Sequence, residues 1–273
     1  MFDVRRIDSL DLPELAPYRT LKRSVEHEVQ GIFVAEGDKV VHRLLESGFE
    51  VISVLLPAER LVEFEPWLRL RPEKNLPVHV VARKEILEKL VGFDLFQGVL
   101  AIGRIPSPHS LAGLIAANPS PRLWVAVDGL TNAENIGVLV RNCVAFGTQA
   151  LLVGETCASP FLRRAVRNSM GAIFHLPVFG ATNLVRSLSE LRAQGIRCIA
   201  AHPHTDQKEL SQANLSGDCC LVFGSEGKGI SPPVLAACPE AVAIKMPPTV
   251  DSLNVGSAAA VFLYEASRQR GGS

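Results

Sequence analysis

Continuous apolar runs alternate with amphipathic stretches through the second half of this 273-residue sequence, and no other feature restricts its fold as strongly. A strand that is apolar along its whole length is typical of a parallel sheet with helices on both faces. The second half is therefore predicted to be an α/β domain built on a parallel sheet. Its predicted elements are strands at 122–130, 149–155, 196–202, 219–224 and 240–247 and helices at 134–147, 183–195 and 253–270.

A smaller α/β domain is predicted in the first half. Its elements are helices at 36–48 and 81–92 and strands at 49–57 and 97–105. Residues 103–122 carry four of the 18 prolines, with serine and glycine between them, which is typical of a linker holding one short helix at Ser110–Ala117. We therefore expect a first domain at 1–106, a linker at 107–121 and a second domain at 122–273.

Composition excludes several classes of protein. A hydrophobic content of 47% excludes intrinsic disorder as the default. No apolar run reaches the ~18 residues needed to cross a bilayer, and the first 15 residues lack the apolar core of a secretory signal. The six cysteines form no C-x-x-C pair, and His202 and His204 have no third ligand at fitting spacing. A reduced, cytoplasmic protein with no metal and no membrane partner is expected.

The balance of charge bears on possible partners. With 28 basic and 28 acidic residues the formal net charge is +0, so the chain is not a strongly basic nucleic-acid binder. Phosphate affinity depends on local charge, however. Between positions 141 and 197 there are seven arginines and no lysine, and the only acids are Glu155 and Glu190. This local excess carries more weight for function than the net charge does.

Polar residues follow the first predicted strand of the second domain. Asn132, Asn135 and Gly137 lie at the start of the next helix, and Arg141 lies one turn further along. Ligands of parallel sheets collect at the carboxyl ends of the strands, which favours a binding role. A helix cap with a solvent-facing arginine is the alternative, and for one arginine alone it is the better account.

A glycine-rich loop follows the strand at 219–224. A Walker A loop would need glycine where Val222 stands, and a dinucleotide loop would need glycine where Pro232 stands, so neither fits. Three glycines around Glu226 favour a ligand loop over a plain turn. These glycines are Gly224, Gly227 and Gly229.

A third polar loop precedes the alanine-rich last helix. Asp251, Ser252 and Asn254 are all good helix-capping residues, and capping alone accounts for one of them. Capping does not account for the whole set of polar residues, which is expected to lie close to the glycine-rich loop. The three loops together therefore indicate one site.

The three loops resemble those of the SpoU/TrmH family of RNA ribose 2′-O-methyltransferases, within the SPOUT superfamily. The resemblance covers roughly 120 to 268, and the matching segments occur in the family's order. They are NAENIGVLVRNCVAFG, SPFLRRAVRNSMGAIFHLPV, LVFGSEGKGIS and IKMPPTVDSLNVGSAAAVFLYEA. More weakly, GIFVAEGDKVVHRLLESG and FDLFQGVLAIGRI resemble the substrate-binding domain, related to ribosomal protein L30e, that often precedes it.

The resemblance implies a fold, an assembly and a cofactor. The fold is an α/β domain whose parallel sheet ends in a trefoil knot at about 220–265, preceded by a smaller L30e-like α/β domain that binds the RNA substrate. The assembly is a homodimer with the active site near the subunit interface. The cofactor is S-adenosylmethionine.

The resemblance also implies roles for individual residues. Arg141 acts on the ribose 2′-hydroxyl, as general base, as stabiliser of the alkoxide or through a neighbouring phosphate; a guanidinium is almost always protonated, which leaves these roles open. The other catalytic positions are Asn135, Glu226, Ser252 and Asn254. The cofactor-binding positions are Phe223, Gly224, Gly229, Ile244, Met246 and Leu253, and the RNA-binding positions are Arg163, Arg164 and Arg167.

These inferences predict an S-adenosylmethionine-dependent methyltransferase acting on a ribose 2′-hydroxyl of structured RNA, with ribosomal RNA favoured over transfer RNA. The alternative is a non-catalytic dimeric RNA-binding protein with the same fold. Loss of Arg141, Glu226 or Asn254 would have favoured that alternative, and all three are present.

Overall fold

A computed structural model describes residues 2–21, 23–82 and 98–271. Packing divides the chain into two compact units. The first unit contains Met1–Ser107 together with Phe161–Phe174, and the second contains Pro108–Pro160 and His175–Ser273. The chain therefore leaves the second unit after Pro160, adds 14 residues to the first unit and then returns.

The described residues contain the following strands and helices. The strands are β1 Phe2–Ile7, β2 Ile32–Glu36, β3 Val51–Pro57, β4 Leu76–Val81, β5 Leu100–Arg104, β6 Leu123–Asp128, β7 Ala150–Val153, β8 Val178–Gly180, β9 Arg197–Ala201, β10 Cys219–Gly224 and β11 Glu240–Val242. The α-helices are α1 Ala16–Arg19, α2 Ser24–Val29, α3 Asp38–Glu46, α4 Leu61–Leu70, α5 Leu111–Ala117, α6 Ala133–Ala145, α7 Arg163–Asn168, α8 Leu184–Ala193, α9 Pro232–Ala237 and α10 Val255–Gln269. Short 3₁₀ helices lie at Pro13–Leu15, Ala58–Arg60, Ala172–His175 and Leu210–Gln212.

The first unit is built on a mixed sheet of five strands in the order β1-β4-β3-β5-β2. Strands β1, β4 and β3 are parallel, whereas β5 runs antiparallel to both β3 and β2. Helix α3 buries Val40, Val41, Leu44 and Leu45, and its contacts include β2. Phe33 of β2 lies against the rings of Phe161 and Phe174, at centroid distances of 5.8 and 5.5 Å. These ring contacts tie residues 161–174 to the first unit.

The second unit contains the predicted parallel sheet, six strands in the order β11-β9-β10-β6-β7-β8. Every pairing in it is parallel. The central strands β6 and β10 are buried at nearly every position, because helices and loops cover both faces. Helix α10 packs on α6 so closely that a Cβ on Gly256 would come within 2.6 Å of Val138 Cγ1. Glycine at 256 is what allows these two helices to meet.

Most predicted elements of the second unit are confirmed, with boundaries within a few residues. The main difference is the strand expected at 240–247, which ends at Val242. In the first unit α3, β3 and β5 are confirmed, whereas the helix predicted at 81–92 lies almost entirely outside the described residues. Helix α5 lies within the segment expected to be a linker, and its Leu111 and Leu114 are buried in the core of the second unit.

A search of the described residues for a helix long and apolar enough to cross a membrane finds none. The same residues contain no group of three or more histidine, cysteine or acidic side chains arranged to hold a metal ion.

Candidate active site

A cavity of about 280 Å³ opens in the second unit at the carboxyl ends of β9, β10 and β11. Its walls come from residues within 201–204, 223–230, 242–246 and 252–262. The last of these segments contains the start of α10, which closes the cavity with Val255, Ala258 and Phe262. A concave, mostly apolar cavity with a few polar groups on its wall is the usual form of a small-molecule site.

The glycine loop forms a tight turn beside this cavity. Ser225 N donates to Gly229 O at 3.1 Å, and Gly229 N donates to Ser225 O at 2.8 Å. Gly229 has a φ of +67°, and a Cβ on Gly224 would lie 2.1 Å from the carbonyl carbon of Gly229, so both positions require glycine. Gly227 differs, because a Cβ there would have no neighbour within 4 Å and its φ is not positive. The fold does not require glycine at 227, which leaves the space beside it for a ligand.

The far end of the glycine loop is held by β6. Asp128, the last residue of β6, is 8% exposed and accepts a hydrogen bond from Ser231 N at 2.7 Å. Because β6 pairs with β10, this bond ties both ends of the loop to the centre of the sheet. The two ends of the loop are thereby anchored to the sheet.

Three of the predicted catalytic side chains meet at this loop. Glu226 Oε1 accepts hydrogen bonds from Asn135 Nδ2 and, at 2.8 Å, from Asn254 Nδ2. Asn254 Nδ2 also lies 3.2 Å from Asn135 Oδ1, which closes the triangle. The three side chains come from the start of α6, the glycine loop and the residue before α10, so positions far apart in sequence form one network.

Helix capping and this network coexist, because they use different atoms. Asn254 Oδ1 accepts from Gly256 N at 2.9 Å and caps α10, while its Nδ2 group joins the network. Asn132 caps α6 by accepting from Glu134 N at 2.8 Å. The capping interpretation of the two loops is therefore correct for Asn132 and incomplete for Asn254.

Arg141 lies on an exposed face of α6. Among the residues that the structure describes, it makes no hydrogen bond or ion pair, and it does not line the cavity. The next residue, Asn142, donates from Nδ2 to Gly256 O at 2.7 Å, which fixes this turn of α6 against the start of α10. Arg141 is thus an exposed guanidinium on the helix that also carries Asn135, and the structure does not bring its side chain into the network.

The other predicted site residues of the second unit lie on the cavity wall. They are Phe223, Gly224, Gly229, Ile244, Met246, Ser252 and Leu253. That they bind the cofactor, or in the case of Ser252 take part in catalysis, stays a prediction.

Sequence reasoning missed the wall segment after β9. It contains His202 and His204, which have no third metal ligand at fitting spacing and were not predicted as site residues. Their rings are 6.1 Å apart and perpendicular. The signal was present, because the segment directly follows the carboxyl end of a predicted strand.

The predicted RNA-binding arginines belong to the first unit, on α7. Arg163 is 12% exposed in its side chain and pairs with Glu36, whereas Arg167 is 55% exposed and pairs with the same carboxylate. Glu36 is an acid that the local count of charges between 141 and 197 did not include. The RNA-binding role of Arg163, Arg164 and Arg167 stays a prediction.

Comparison with known proteins places this site in a family. The sequence profile of the SpoU rRNA Methylase family matches residues 122–264, more than half of the chain. This chain belongs to that family. The matched range contains every residue of the network and Arg141, and the resemblance to the SpoU family is confirmed.

Relatives extend the likeness beyond the SpoU domain. A tRNA/rRNA methyltransferase of Mycobacterium tuberculosis, described as uncharacterized, is 32% identical over 97% of this chain and 92% of its own length. A 23S rRNA (guanosine-2′-O-)-methyltransferase of Shewanella oneidensis is 30% identical over 89% of this chain and 95% of its own length.

Solved structures share the whole fold. An RNA 2′-O ribose methyltransferase is 28% identical, with a TM-score of 0.79 over 97% of this chain and 99% of that one. An AdoMet-bound rRNA methyltransferase of Sinorhizobium meliloti has a TM-score of 0.82 over 97% of this chain and 98% of that one, at 23% identity, and so shows the fold. The predicted α/β fold with a parallel SpoU sheet is confirmed, and the predicted cofactor, S-adenosylmethionine, is the molecule bound in the Sinorhizobium meliloti structure. The trefoil knot stays a prediction.

The two roles of Asn254 can be separated by substitution. Asn254→Ser keeps an oxygen that can cap α10 but removes the amide that binds Glu226, so we expect a melting temperature near that of the wild type and a methyl-transfer rate lower by about 10-fold or more. Asn254→Ala loses both roles and should also unfold about 1 kcal/mol more easily. Thermal melting and a radiolabelled methyl-transfer assay measure the two effects. Equal activity in Asn254→Ser and wild type would reduce Asn254 to a helix cap.

Proposed function

We propose that this SpoU-family protein transfers the methyl group of S-adenosylmethionine to a ribose 2′-hydroxyl of structured RNA, with ribosomal RNA favoured over transfer RNA. The observation that carries the proposal is the Asn135–Glu226–Asn254 network beside a cavity at the carboxyl ends of the parallel strands. The 23S rRNA and RNA 2′-O-ribose methyltransferases among its relatives support the same chemistry and substrate class.

The cavity fits the proposed cofactor. Its volume of about 280 Å³ is close to the lower limit for small-molecule sites, and its wall combines apolar side chains with the exposed backbone of the glycine loop. Phe223, Ile244, Met246 and Leu253 would hold the apolar parts of the molecule, and Gly227 leaves space that a side chain would fill. When bound, S-adenosylmethionine supplies an electrophilic methyl group on a sulfonium.

The protein's own residues orient the ribose and stabilise the charge that develops on its oxygen. Asn135 and Asn254 hold the carboxylate of Glu226 in one position, where it can accept a hydrogen bond from an incoming hydroxyl. Because a guanidinium stays protonated in proteins, we assign Arg141 to stabilising the negative charge that develops on the ribose oxygen. This assignment favours the second of the three roles that the sequence left open.

We also propose that the protein is a homodimer. Helices α6 and α10 expose Val138, Val261 and Tyr264 at 39%, 41% and 58%, although both are mostly apolar and pack on each other. Exposed apolar residues on neighbouring helices are typical of an association surface. A second copy packing there would cover these side chains. It would also place α6, the helix that carries Arg141, at the subunit interface. Sedimentation velocity of the purified protein tests this.

The proposed activity is tested by mass-spectrometric mapping of 2′-O-methyl groups in ribosomal and transfer RNA from cells with and without the protein. We expect at least one ribose methylation to be lost without the protein and to return when the purified protein and S-adenosylmethionine are added to that RNA. RNA binding with no change in any methylation would favour the non-catalytic dimeric RNA-binding protein.

A further inference from the structure

A buried carboxylate holds two of the arginines of α7. Glu36, the last residue of β2, is 7% exposed and accepts from Arg163 Nη1 at 2.6 Å and from Arg167 Nη1 at 3.2 Å. The carboxylate therefore has one cation on each oxygen. All three residues belong to the first unit, so this contact lies within one compact body.

The two arginines differ in what remains available to a ligand. Arg163 has only 12% of its side chain exposed, which makes it an internal partner of Glu36. Arg167 is 55% exposed and reaches Glu36 through one terminal nitrogen. A guanidinium has five N–H donors in a fixed plane, so a carboxylate on one side of it orients the donors on the other side.

A second contact fixes the chain beyond α7. Arg43 of α3 donates from Nη1 to Met170 O. The chain passes this side chain closely at Gly171, whose φ is +80° and where a Cβ would lie 3.1 Å from Arg43 Cβ. The backbone that carries Arg167 is thus tied to β2 through Glu36 and to α3 through Arg43.

We propose that Glu36 is a positioning residue for RNA binding: its carboxylate orients Arg167 so that the exposed edge of this guanidinium contacts an RNA phosphate. The proposal rests on the proposed function and assigns its phosphate contact to Arg167, with Arg163 as internal support. Phosphate contacts set the register of a bound nucleic acid, so an oriented guanidinium contributes more than an equal charge on a free side chain.

Removing the charge of Glu36 distinguishes a residue that positions Arg167 from one that only neutralises the two arginines. The two roles predict opposite changes in RNA affinity. Replacing Glu36 by glutamine keeps the shape of the side chain and makes the surface more positive by one charge. If Glu36 only neutralised the arginines, the variant would bind RNA more tightly and with a steeper salt dependence. If Glu36 positions Arg167, the variant binds RNA more weakly despite its added positive charge.

The test compares Glu36→Gln with Glu50→Gln, which makes the same charge change at an exposed ion pair with Arg104 in the same unit. With purified ribosomal RNA we expect Glu36→Gln to raise the KM for RNA about 10-fold and to reduce the salt slope of binding by about 0.7 to 0.9. The kcat at saturating RNA and the affinity for S-adenosylmethionine should stay at the wild-type values. Glu50→Gln should bind RNA as tightly as the wild type, or slightly more tightly. Tighter RNA binding by Glu36→Gln, or a KM equal to that of Glu50→Gln, overturns the proposal.

A second variant guards against a folding defect in Glu36→Gln. Arg167→Ala leaves the Glu36–Arg163 pair in place, and we expect it to raise the KM for RNA by a similar factor. The double variant should then be no worse than either single variant, because both remove the same phosphate contact. Additive losses would mean that Glu36 does not act through Arg167. If the wild type binds ribosomal RNA without methylating it, the proposed activity fails, and the binding measurements still decide the role of Glu36.

Discussion

Replacing Arg141 with alanine is expected to lower the rate of methyl transfer at least about 10³-fold while S-adenosylmethionine still binds. Arg141 makes no hydrogen bond or ion pair in the part of the chain that the structure describes, and it lies outside the cavity wall, so its loss should disturb neither the fold nor the cofactor site. Single-turnover rates at saturating RNA, together with calorimetric titration of S-adenosylmethionine, measure the two quantities separately.

Two further variants sharpen the assignment of Arg141. Arg141→Lys keeps the positive charge but loses the planar fork of donors, so it should restore little of the rate. Arg186→Ala removes another exposed arginine of the second unit, one that pairs with Glu190 on α8, and should leave the rate unchanged. If saturating RNA restores most of the rate of Arg141→Ala, the residue binds phosphate instead. Wild-type turnover in that variant would remove Arg141 from the mechanism.

Replacing Gly227 with valine should weaken S-adenosylmethionine binding by about 10- to 100-fold. Gly227 lines the cavity, and a Cβ at this position meets nothing within 4 Å, so the added side chain would occupy space that the cofactor needs without straining the loop. We therefore expect the melting temperature to stay close to that of the wild type while calorimetry shows the loss of affinity.

Gly180→Val is the matched control for this substitution. Gly180 is also exposed and lies outside the cavity wall, at the end of β8, and a Cβ there would likewise have no neighbour within 4 Å. We expect this variant to bind S-adenosylmethionine normally. Wild-type affinity in Gly227→Val would show that the cofactor does not lie beside the glycine loop. Gly224 is unsuitable for the same test, because a side chain there would collide with the backbone at Gly229.

The second unit could be predicted from the sequence because each of its central strands is buried on both faces. Strand β10, for example, was predicted at its observed bounds, since six consecutive small or apolar residues admit few other structures. Strand β8 pairs over only three residues, too few for the sequence pattern to set its bounds. The order of the six strands depends on contacts between distant residues, which a single sequence does not show.

The first unit was harder to predict because its elements break local rules. Strand β1 has three exposed positions in succession, including Arg5 and Arg6, and so lacks the usual alternation. Strand β4 contains Pro77, although it lies between two other strands of the sheet. Helix α4 continues through Pro66, which removes one backbone hydrogen bond from its interior. In each case tertiary packing overrides the local preference.

The network at the site was predictable as a set of residues but not as a geometry. Asn135, Glu226 and Asn254 were selected from their family motifs, and the structure adds that both amides donate to one carboxylate oxygen. The pairing of Glu36 with Arg163 could not be predicted, because 126 residues of chain separate these two positions and neither lies in a pattern that includes the other.

The discontinuity of the first unit has a consequence for the order of events during synthesis. Most of this unit has been synthesised once the ribosome reaches Ser107. The last segment of the unit ends at Phe174, and 67 more residues must be translated before it is complete. At about 5 to 20 residues per second, the ribosome needs roughly 3 to 13 s for that stretch. During this interval Glu36 lacks its cations, and Phe33 lacks the rings of Phe161 and Phe174. The unit that is translated first is therefore completed only after Pro108–Pro160 of the second unit has been translated.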